Sequence, residues 1–271
     1  MPNRKTSASS ALIAALLAGV VVNIAYAGAR EEGRLLTATE VLQEVKAMPD
    51  VRLPDTLLAH AYGIAVIPDV TKIAFIFGAR HGNGVLAVRD KLTSPWSNPV
   101  FVSLTGGSWG FQAGAQASDI ILVFTTKRGI EGIAGGKLTL GADASVATGP
   151  VGRQGSAATD VSLAEIYSYA RTRGLFGGIA LDGTVISIDR KANASLYNKS
   201  DVTATEIFSG QAPAPPSTAQ RFLDELAKAT GTAVRASPAP QAEVSAAQTP
   251  PVVPPSAQPA RTYPLEEQKR Q

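Results

Sequence analysis

The spacing of apolar residues along the chain is helical near both ends of the predicted domain and strand-like in the middle. Within residues 33–48, apolar side chains recur every three or four positions, at Leu35, Ala38, Leu42 and Val45. This spacing predicts an amphipathic helix that ends near Pro49. A second, short helix is predicted over residues 54–60. Both helices are expected to cover a core, with direct membrane contact as the alternative.

The middle of the chain carries short β-branched runs separated by glycine-rich segments. These runs predict strands at residues 73–77, 84–88, 100–104, 120–124 and 184–188. Twenty of the 25 glycines fall between Gly63 and Gly183, which predicts turns, bulges or close backbone contacts in a curved sheet. Asn83 and Gly84 lie between two apolar runs and predict a type I′ hairpin.

Three further helices are predicted, one before the last strand run and two after it. An apolar stripe predicts one over residues 162–171, at Leu163, Ile166, Tyr167 and Ala170. Residues 203–209 and 218–229 predict two accessory helices. The order of elements therefore predicts an α+β fold, in which a curved, mainly antiparallel, glycine-rich β core has flanking N- and C-terminal helices.

The start of the chain has the three-part pattern of a secretory signal peptide. Arg4 and Lys5 precede an apolar run over residues 11–22, and Ala25-Tyr26-Ala27 follows. We expect a signal peptide over residues 1–27, with cleavage after Ala27 or, in a second frame, after Ala29. An uncleaved membrane anchor is the alternative, although the apolar run is shorter than the roughly 20 residues that span a bilayer.

The end of the chain is predicted to be disordered. From residue 232 onward Ala, Pro, Gln and Ser dominate, so residues 232–271 offer little apolar surface to offset the entropy of ordering. We expect a solvated spacer, with docking of the proline-rich stretch on an aromatic groove as the alternative. The predicted domain between the two ends spans residues 28–231.

Composition narrows the possible chemistry. The chain has no cysteine, which excludes thiolate catalysis, thiolate metal sites and lipid modification of an N-terminal cysteine. The formal charge is +3 and includes Arg4 and Lys5 of the predicted signal peptide. The remaining charge is nearly balanced, which argues against a nucleic-acid partner.

Motifs that resemble catalytic or cofactor sites lack the context that they need. Residues 106–110 match the G-x-S-x-G pattern around Ser108, but no histidine follows Ser108 to complete a hydrolase triad. The glycines of residues 82–84 precede a strand rather than a helix, so they do not form a dinucleotide fingerprint. Four aspartates could in principle bind calcium, but their spacing supports no such site: Asp143, Asp160, Asp182 and Asp189. We expect no cofactor, no metal and no enzymatic activity.

Four segments resemble the SYLF family. They are residues 84–90 with 96–99, 106–116, 140–153 and 164–178, and they appear in the family's order after the start at residues 61–68. The resemblance extends over about residues 40–197. It implies a non-catalytic lipid-binding domain with a curved β core, associated in eukaryotic relatives with phosphoinositides and also described as an actin-binding module in yeast. Bacterial relatives are often lipoproteins, from which this cysteine-free chain departs.

A lipid site is predicted where cations lie beside an apolar residue. Lys127 and Arg128 follow a strand, while Arg171, Arg173 and Phe176 surround a predicted helix end. If the four cations share one face beside Phe176, headgroup phosphates can meet the cations while the ring enters the interface.

The sequence leaves two functions open. The first is an exported domain, periplasmic or envelope-associated, that binds anionic lipid or the membrane surface. The alternative is a periplasmic protein-interaction or structural module without lipid contact, with an envelope protein as its possible partner. Actin is expected to be an unlikely partner of an exported protein.

Overall fold

The computed structural model describes residues 28–48, 53–74, 77–109, 114–150, 164–172 and 175–232. The predicted signal peptide and nearly all of the predicted tail lie outside these residues. Within these residues, nine strands form one sheet: β1 Gly63–Ala74, β2 Phe77–Val88, β3 Val100–Trp109, β4 Gly114–Phe124, β5 Lys137–Thr139, β6 Val146–Thr148, β7 Ile166–Thr172, β8 Leu175–Gly178 and β9 Val185–Ile188. Six helices in the described part of the chain accompany the sheet: α1 over residues 28–47, α2 Asp55–Ala59, α3 Lys127–Ala134, α4 Arg190–Leu196, α5 Ala204–Ser209 and α6 Ser217–Thr230.

The sheet is mainly antiparallel and curls back on itself. Its strand order is β5-β9-β3-β2-β1-β4-β7-β6, with β8 paired to β7. The pair β6–β7 is parallel, whereas the other strand pairs within the described residues are antiparallel. β5 and β6 stand at opposite ends of this order but are close in sequence, and a bridge between Leu140 and Ala144 joins the segment between them. The short link brings the two margins of the sheet together, which confirms the predicted curvature.

Each face of the sheet has its own apolar core. The outer face packs against the helices of both termini, with Leu35 and Leu42 of α1 and Phe222 of α6 in one cluster. The inner face forms a second cluster, to which α3 contributes Ile133. Alternate residues along the central strands therefore enter different cores, as the two-residue repeat of a strand requires.

The terminal helices match their predictions. All four apolar residues of the predicted stripe in α1 are buried: Leu35, Ala38, Leu42 and Val45. α2 lies within the predicted residues 54–60. α5 begins with a capping box between Thr203 and Glu206 and ends at Gly210, whose φ of 77° suits glycine. None of the described helices is long and apolar enough to span a membrane.

The predicted hairpin at Asn83-Gly84 is wrong. Both residues lie inside β2, where Asn83 pairs with Ser103 and Gly84 with Val102. Glycine is needed there for close approach, because a Cβ on Gly84 would lie 2.3 Å from the carbonyl oxygen of Val66. β1 carries a bulge at this level, with Asp69 at a φ of 50°. The bulge pushes the backbone of β1 toward β2 and leaves no room for a side chain.

The predicted helix over residues 162–171 is also wrong, because residues 166–172 form strand β7. Ile166 points into the inner core, whereas Tyr167 and Tyr169 belong to the outer core. This alternation satisfies both cores, and β7 pairs with β4 from Phe124↔Ile166 to Asp119↔Arg171. Two helices, α3 and α4, have no counterpart in the sequence prediction. Ser108 lies within β3, and the next described element is strand β4, so the helix of a hydrolase elbow does not follow it.

Candidate functional site

The two ends of the sheet differ in how their side chains are partnered. At the end that we call the α3 end, β1, β3 and β7 begin and β2 and β4 finish next to α3. At the opposite end, which we call the hairpin end, β1, β3 and β7 finish and β2, β4 and β8 begin. The predicted lipid-binding residues are distributed over both ends.

A buried arginine links neighbouring segments at the α3 end and so closes this end of the sheet. Arg89, only 3% exposed, donates to the carbonyl oxygens of Ala61 (2.6 Å), Ala59 (2.9 Å) and Leu58 (3.2 Å) at the end of α2. It also donates to the carbonyl oxygen of Leu92 at 2.7 Å. Burial lowers the pKa of its guanidinium. Arg89 therefore joins α2 to the loop that follows β2.

Aromatic residues extend this closure. Trp96 is 2% exposed, lies 4.7 Å from the Arg89 guanidinium, and donates from Nε1 to the hydroxyls of Thr230 and Thr232. Tyr197 donates its hydroxyl to the carbonyl oxygen of Pro99 at 2.7 Å, and burial raises the pKa of its phenol. These contacts tie the C-terminal helices to the loop between β2 and β3.

The two cations predicted at the α3 end have carboxylate neighbours. Lys127 begins α3 and lies 2.5 Å from Asp90, and this contact lowers the pKa of the Asp90 carboxyl. Arg128 is 79% exposed and lies 3.9 Å from Glu165. The Lys127–Asp90 pair borders a cavity of about 480 Å³, whose apolar lining includes Ile130 and Phe208. We call this the α3 cavity.

Arg171 and Phe176 of the predicted lipid-binding set lie toward the hairpin end, away from Lys127. Arg171 contacts Asp119 at 2.6 Å and also pairs with Glu44 of α1. Asp119 in turn accepts from the backbone N–H of Asp69 at 3.0 Å, so Arg171 supports the bulge of β1. Phe176 is 9% exposed and stacks on Tyr169 with ring centroids 5.4 Å apart. Arg173 lies outside the described residues.

The structure therefore does not bring the predicted lipid-binding set together. Within β4, Asp119 lies beside Arg171, and Phe124, the last residue of the strand, is three residues before Lys127. The five residues of strand from Asp119 to Phe124 span roughly 17 Å. Phe176 is covered by Tyr169 rather than presented to solvent. The exposed residue of this turn is its neighbour Leu175.

Two exposed apolar residues that were not in the predicted lipid-binding set lie at the hairpin end. Ile73 in β1 is 63% exposed and Leu175 in β8 is 78% exposed. Among the described residues, the remaining large apolar side chain that is exposed is Leu36 of α1, at 38%. Residues 71–74, 77–81, 114–118 and 175–178 at this end contain no Asp or Glu, whereas Lys72 and Arg80 lie among them.

A polar cleft opens beside the hairpin end, between α1 and the β1–β2 pair. Its volume is about 490 Å³, and we call it the α1 cleft. Its lining includes Arg30 and Arg34 of α1 and His81 of β2, against the single carboxylate of Asp69. Arg30 is exposed, whereas Arg34 is also held by Asp189 at 3.2 Å. The cleft therefore presents arginine side chains to an anion.

Known proteins resemble this chain over most of the described sheet. A model of the Ysc84 family, described as "Las17-binding protein actin regulator", matches residues 105–229. The chain belongs to this family, also called SYLF. An SH3 domain-containing protein of Schizosaccharomyces pombe is 35% identical over 191 residues, which are 69% of this chain and 43% of the relative.

Two further SYLF relatives carry informative names. The human SH3 domain-containing YSC84-like protein 1 is 35% identical over 170 residues, 62% of this chain and 48% of the relative. LAS seventeen-binding protein 3 of Saccharomyces cerevisiae is 33% identical over 171 residues, 62% of this chain and 37% of the relative. The chain thus spans less than half the length of these SYLF relatives. The expectation that actin is an unlikely partner receives no support from their names.

The first of the SYLF segments identified in the sequence has structural roles. Residues 84–90 and 96–99 contain Gly84, which allows β2 to approach the bulge of β1, and Arg89 and Trp96, which link elements at the α3 end. The α1 cleft was not predicted, because it depends on the bulge at Asp69 and on the position of α1. The sequence feature that could have indicated the cleft was the pair Arg30 and Arg34, which lie on one face of an amphipathic helix.

Proposed function

We propose that this chain is a non-catalytic binding domain that attaches to an anionic lipid surface through the α1 cleft. The arginines of the cleft, set against one aspartate, carry the proposal. Each cation near an anionic membrane surface contributes about 1 kcal/mol of attraction, and the attraction falls off within a Debye length. If the export prediction for residues 1–27 holds, the surface in question belongs to the cell envelope.

The position of Arg30 makes it the most informative residue of the cleft. Its side chain is exposed on α1, whereas the neighbouring Arg34 shares its charge with Asp189. A phosphate that enters the cleft can therefore pair with Arg30 without breaking an internal ion pair. His81 and Thr71 face each other across the β1–β2 pair and add polar groups to the same cleft.

Vesicle co-sedimentation with the full chain tests the proposal. We expect binding to phosphatidylcholine vesicles that contain a phosphoinositide or phosphatidylglycerol, weak binding to phosphatidylcholine alone, and a decline with added salt. Arg30→Glu should weaken binding to anionic vesicles by about tenfold or more at low salt, because charge reversal turns attraction into repulsion.

Arg128→Glu is the matched control. It makes the same charge reversal at an exposed arginine of the α3 end. We expect this variant to bind anionic vesicles nearly as the wild type does. Absence of wild-type binding at low salt would overturn the lipid proposal, and equal losses in both variants would remove the α1 cleft from it.

A protein partner is the second candidate function. Relatives whose names mention binding of LAS seventeen favour it, as does the α3 cavity, which exposes apolar surface between α3 and α5. Co-sedimentation with purified actin filaments tests this candidate directly. Binding that is lost in Phe208→Asp, but kept in Arg30→Glu, would assign a protein partner to the α3 cavity.

A further inference from the structure

Two exposed apolar side chains at the hairpin end have no cover among the described residues. They are Ile73, 63% exposed, and Leu175, 78% exposed. We propose that the hairpin end inserts these side chains into the boundary between headgroups and acyl chains of an anionic membrane. This inference rests on the proposed lipid function and adds which part of the domain enters the bilayer.

The register of β1 and β2 places the α1 cleft next to the hairpin end along the direction of the strands. Thr71 pairs with His81 at the cleft, and Ile73 pairs with Ala79 two residues farther toward the hairpin end. Thr71 and Ile73 point to the same face, because side chains repeat every two residues, and the step between them is about 7 Å. The order from cleft to apolar end thus matches the order from headgroup phosphate to acyl chain.

The described residues at the hairpin end have a composition that suits an anionic membrane surface. Residues 71–74, 77–81, 105–109, 114–118 and 175–178 contain no Asp or Glu. Their cations are Lys72 and Arg80. Cations favour an anionic membrane surface, and the absence of carboxylates from these described residues removes repulsion from anionic lipid.

The same charge pattern favours a lipid over a second copy of this chain. In a symmetric dimer the same patch meets itself, so cations of one copy would face cations of the other. An anionic bilayer supplies the opposite charge and an apolar layer beneath it. Burial of an Ile or Leu side chain in an apolar layer is favourable, so two residues are enough to change vesicle affinity measurably.

The two tryptophans provide a depth probe. Trp109 ends β3 at the hairpin end, whereas Trp96 is 2% exposed at the α3 end. We expect vesicles with brominated acyl chains to quench the fluorescence of the full chain. Trp109→Phe should abolish most of this quenching while vesicle binding persists, because Trp96 lies far from the inserted end.

Substitution of the apolar residues provides the second test. Ile73→Asp combined with Leu175→Asp should lower the affinity for anionic vesicles by at least about tenfold. Leu36→Asp, which changes the third exposed apolar residue, is the matched control and should bind nearly as the wild type does. Circular dichroism and sedimentation of the free proteins establish that each variant is folded and report any dimer.

The outcomes separate this inference from the proposed function. Vesicle binding without quenching, or with wild-type affinity in the folded double variant, would overturn insertion and leave headgroup binding in place. Loss of a wild-type dimer in the double variant, with vesicle binding intact, would assign the hairpin end to a second copy instead. Absence of any vesicle binding would overturn both proposals together.

Discussion

The α3 end and the hairpin end belong to the same sheet, yet their charged and apolar groups have opposite surroundings. At the α3 end, Arg89 satisfies four carbonyl oxygens and Lys127 lies against Asp90. At the hairpin end, Ile73 and Leu175 stay exposed, and the α1 cleft presents Arg30. A buried, fully bonded cation stabilises a fold, whereas an exposed one is available to a ligand.

A cation's residue type and its position in the sequence do not reveal its role. Arg171 lies toward the hairpin end but is committed to Asp119, which holds the bulge of β1 through Asp69. Its role is therefore structural. The side chains available for binding are those whose neighbours leave them exposed, and only the three-dimensional arrangement identifies them.

The largest effect is expected for Arg89→Met, which breaks the closure of the α3 end. Methionine keeps much of the apolar stem but leaves the carbonyl oxygens of Ala59 and Ala61 without the donors that Arg89 supplies. We expect the free energy of unfolding to fall by about 3 kcal/mol. Urea unfolding followed by circular dichroism measures it. A loss below about 0.5 kcal/mol, as expected for the exposed control Arg128→Met, would contradict this role.

A smaller loss is expected where the bulge of β1 meets β2. In Gly84→Ala the new Cβ would lie 2.3 Å from the Val66 carbonyl oxygen and 2.7 Å from Cα of Ile67, so the strands must separate. We expect a loss of about 2 kcal/mol in the free energy of unfolding. Gly177→Ala is the matched control, because its Cβ would meet nothing within 4 Å. Equal melting temperatures for the two variants would show that close approach is not why glycine occurs at position 84.

The fold was largely predictable because burial leaves a local pattern. The stripe of α1 and the β-branched runs of β3 and β4 each depend on residues close in sequence. β7 was mistaken for a helix because Ile166, Tyr167 and Ala170 fit both spacings. Its pairing with β4, more than 40 residues earlier, decides the conformation.

The candidate site was much less predictable, because exposure depends on distant partners. Lys127 meets Asp90, 37 residues away, and Arg171 meets Glu44, 127 residues away. No local pattern reports such pairs. Ile73 fell within the predicted strand 73–77, whereas β1 ends at Ala74 and β2 begins at Phe77. Nothing in the sequence indicated that Ile73 is exposed.

A third prediction concerns Tyr197, which helps to close the α3 end. At neutral pH, Tyr197→Phe should lower the free energy of unfolding by about 1 kcal/mol, because the hydrogen bond to the Pro99 carbonyl oxygen is lost. Burial raises the pKa of the folded-state phenol above its unfolded value near 10. The stability contributed by the buried neutral phenol is therefore present below about pH 10 and lost as the pH rises further.

The pH dependence distinguishes a buried phenol from an ordinary contact. We expect the stability difference between wild type and Tyr197→Phe to narrow above about pH 10, since the variant has no phenol to ionise at this position. Chemical unfolding at a series of pH values, with tyrosinate absorbance recorded in parallel, measures this. A difference that stays constant through alkaline pH would show that Tyr197 ionises as readily in the folded state as in the unfolded state.

The smallest effect is expected for Lys127→Gln, which tests whether the α3 end takes part in lipid binding. Lys127 was predicted to bind lipid, but its side chain is half exposed and lies against Asp90, itself 76% exposed. Exposed ion pairs contribute little because solvent and salt screen them, so the melting temperature at physiological salt should not change measurably. Binding to anionic vesicles should also stay at the wild-type level, because Arg30 and the α1 cleft lie elsewhere on the domain. A salt-sensitive loss of vesicle binding in this variant would move the lipid contact to the α3 end and remove the functional contrast between the two ends.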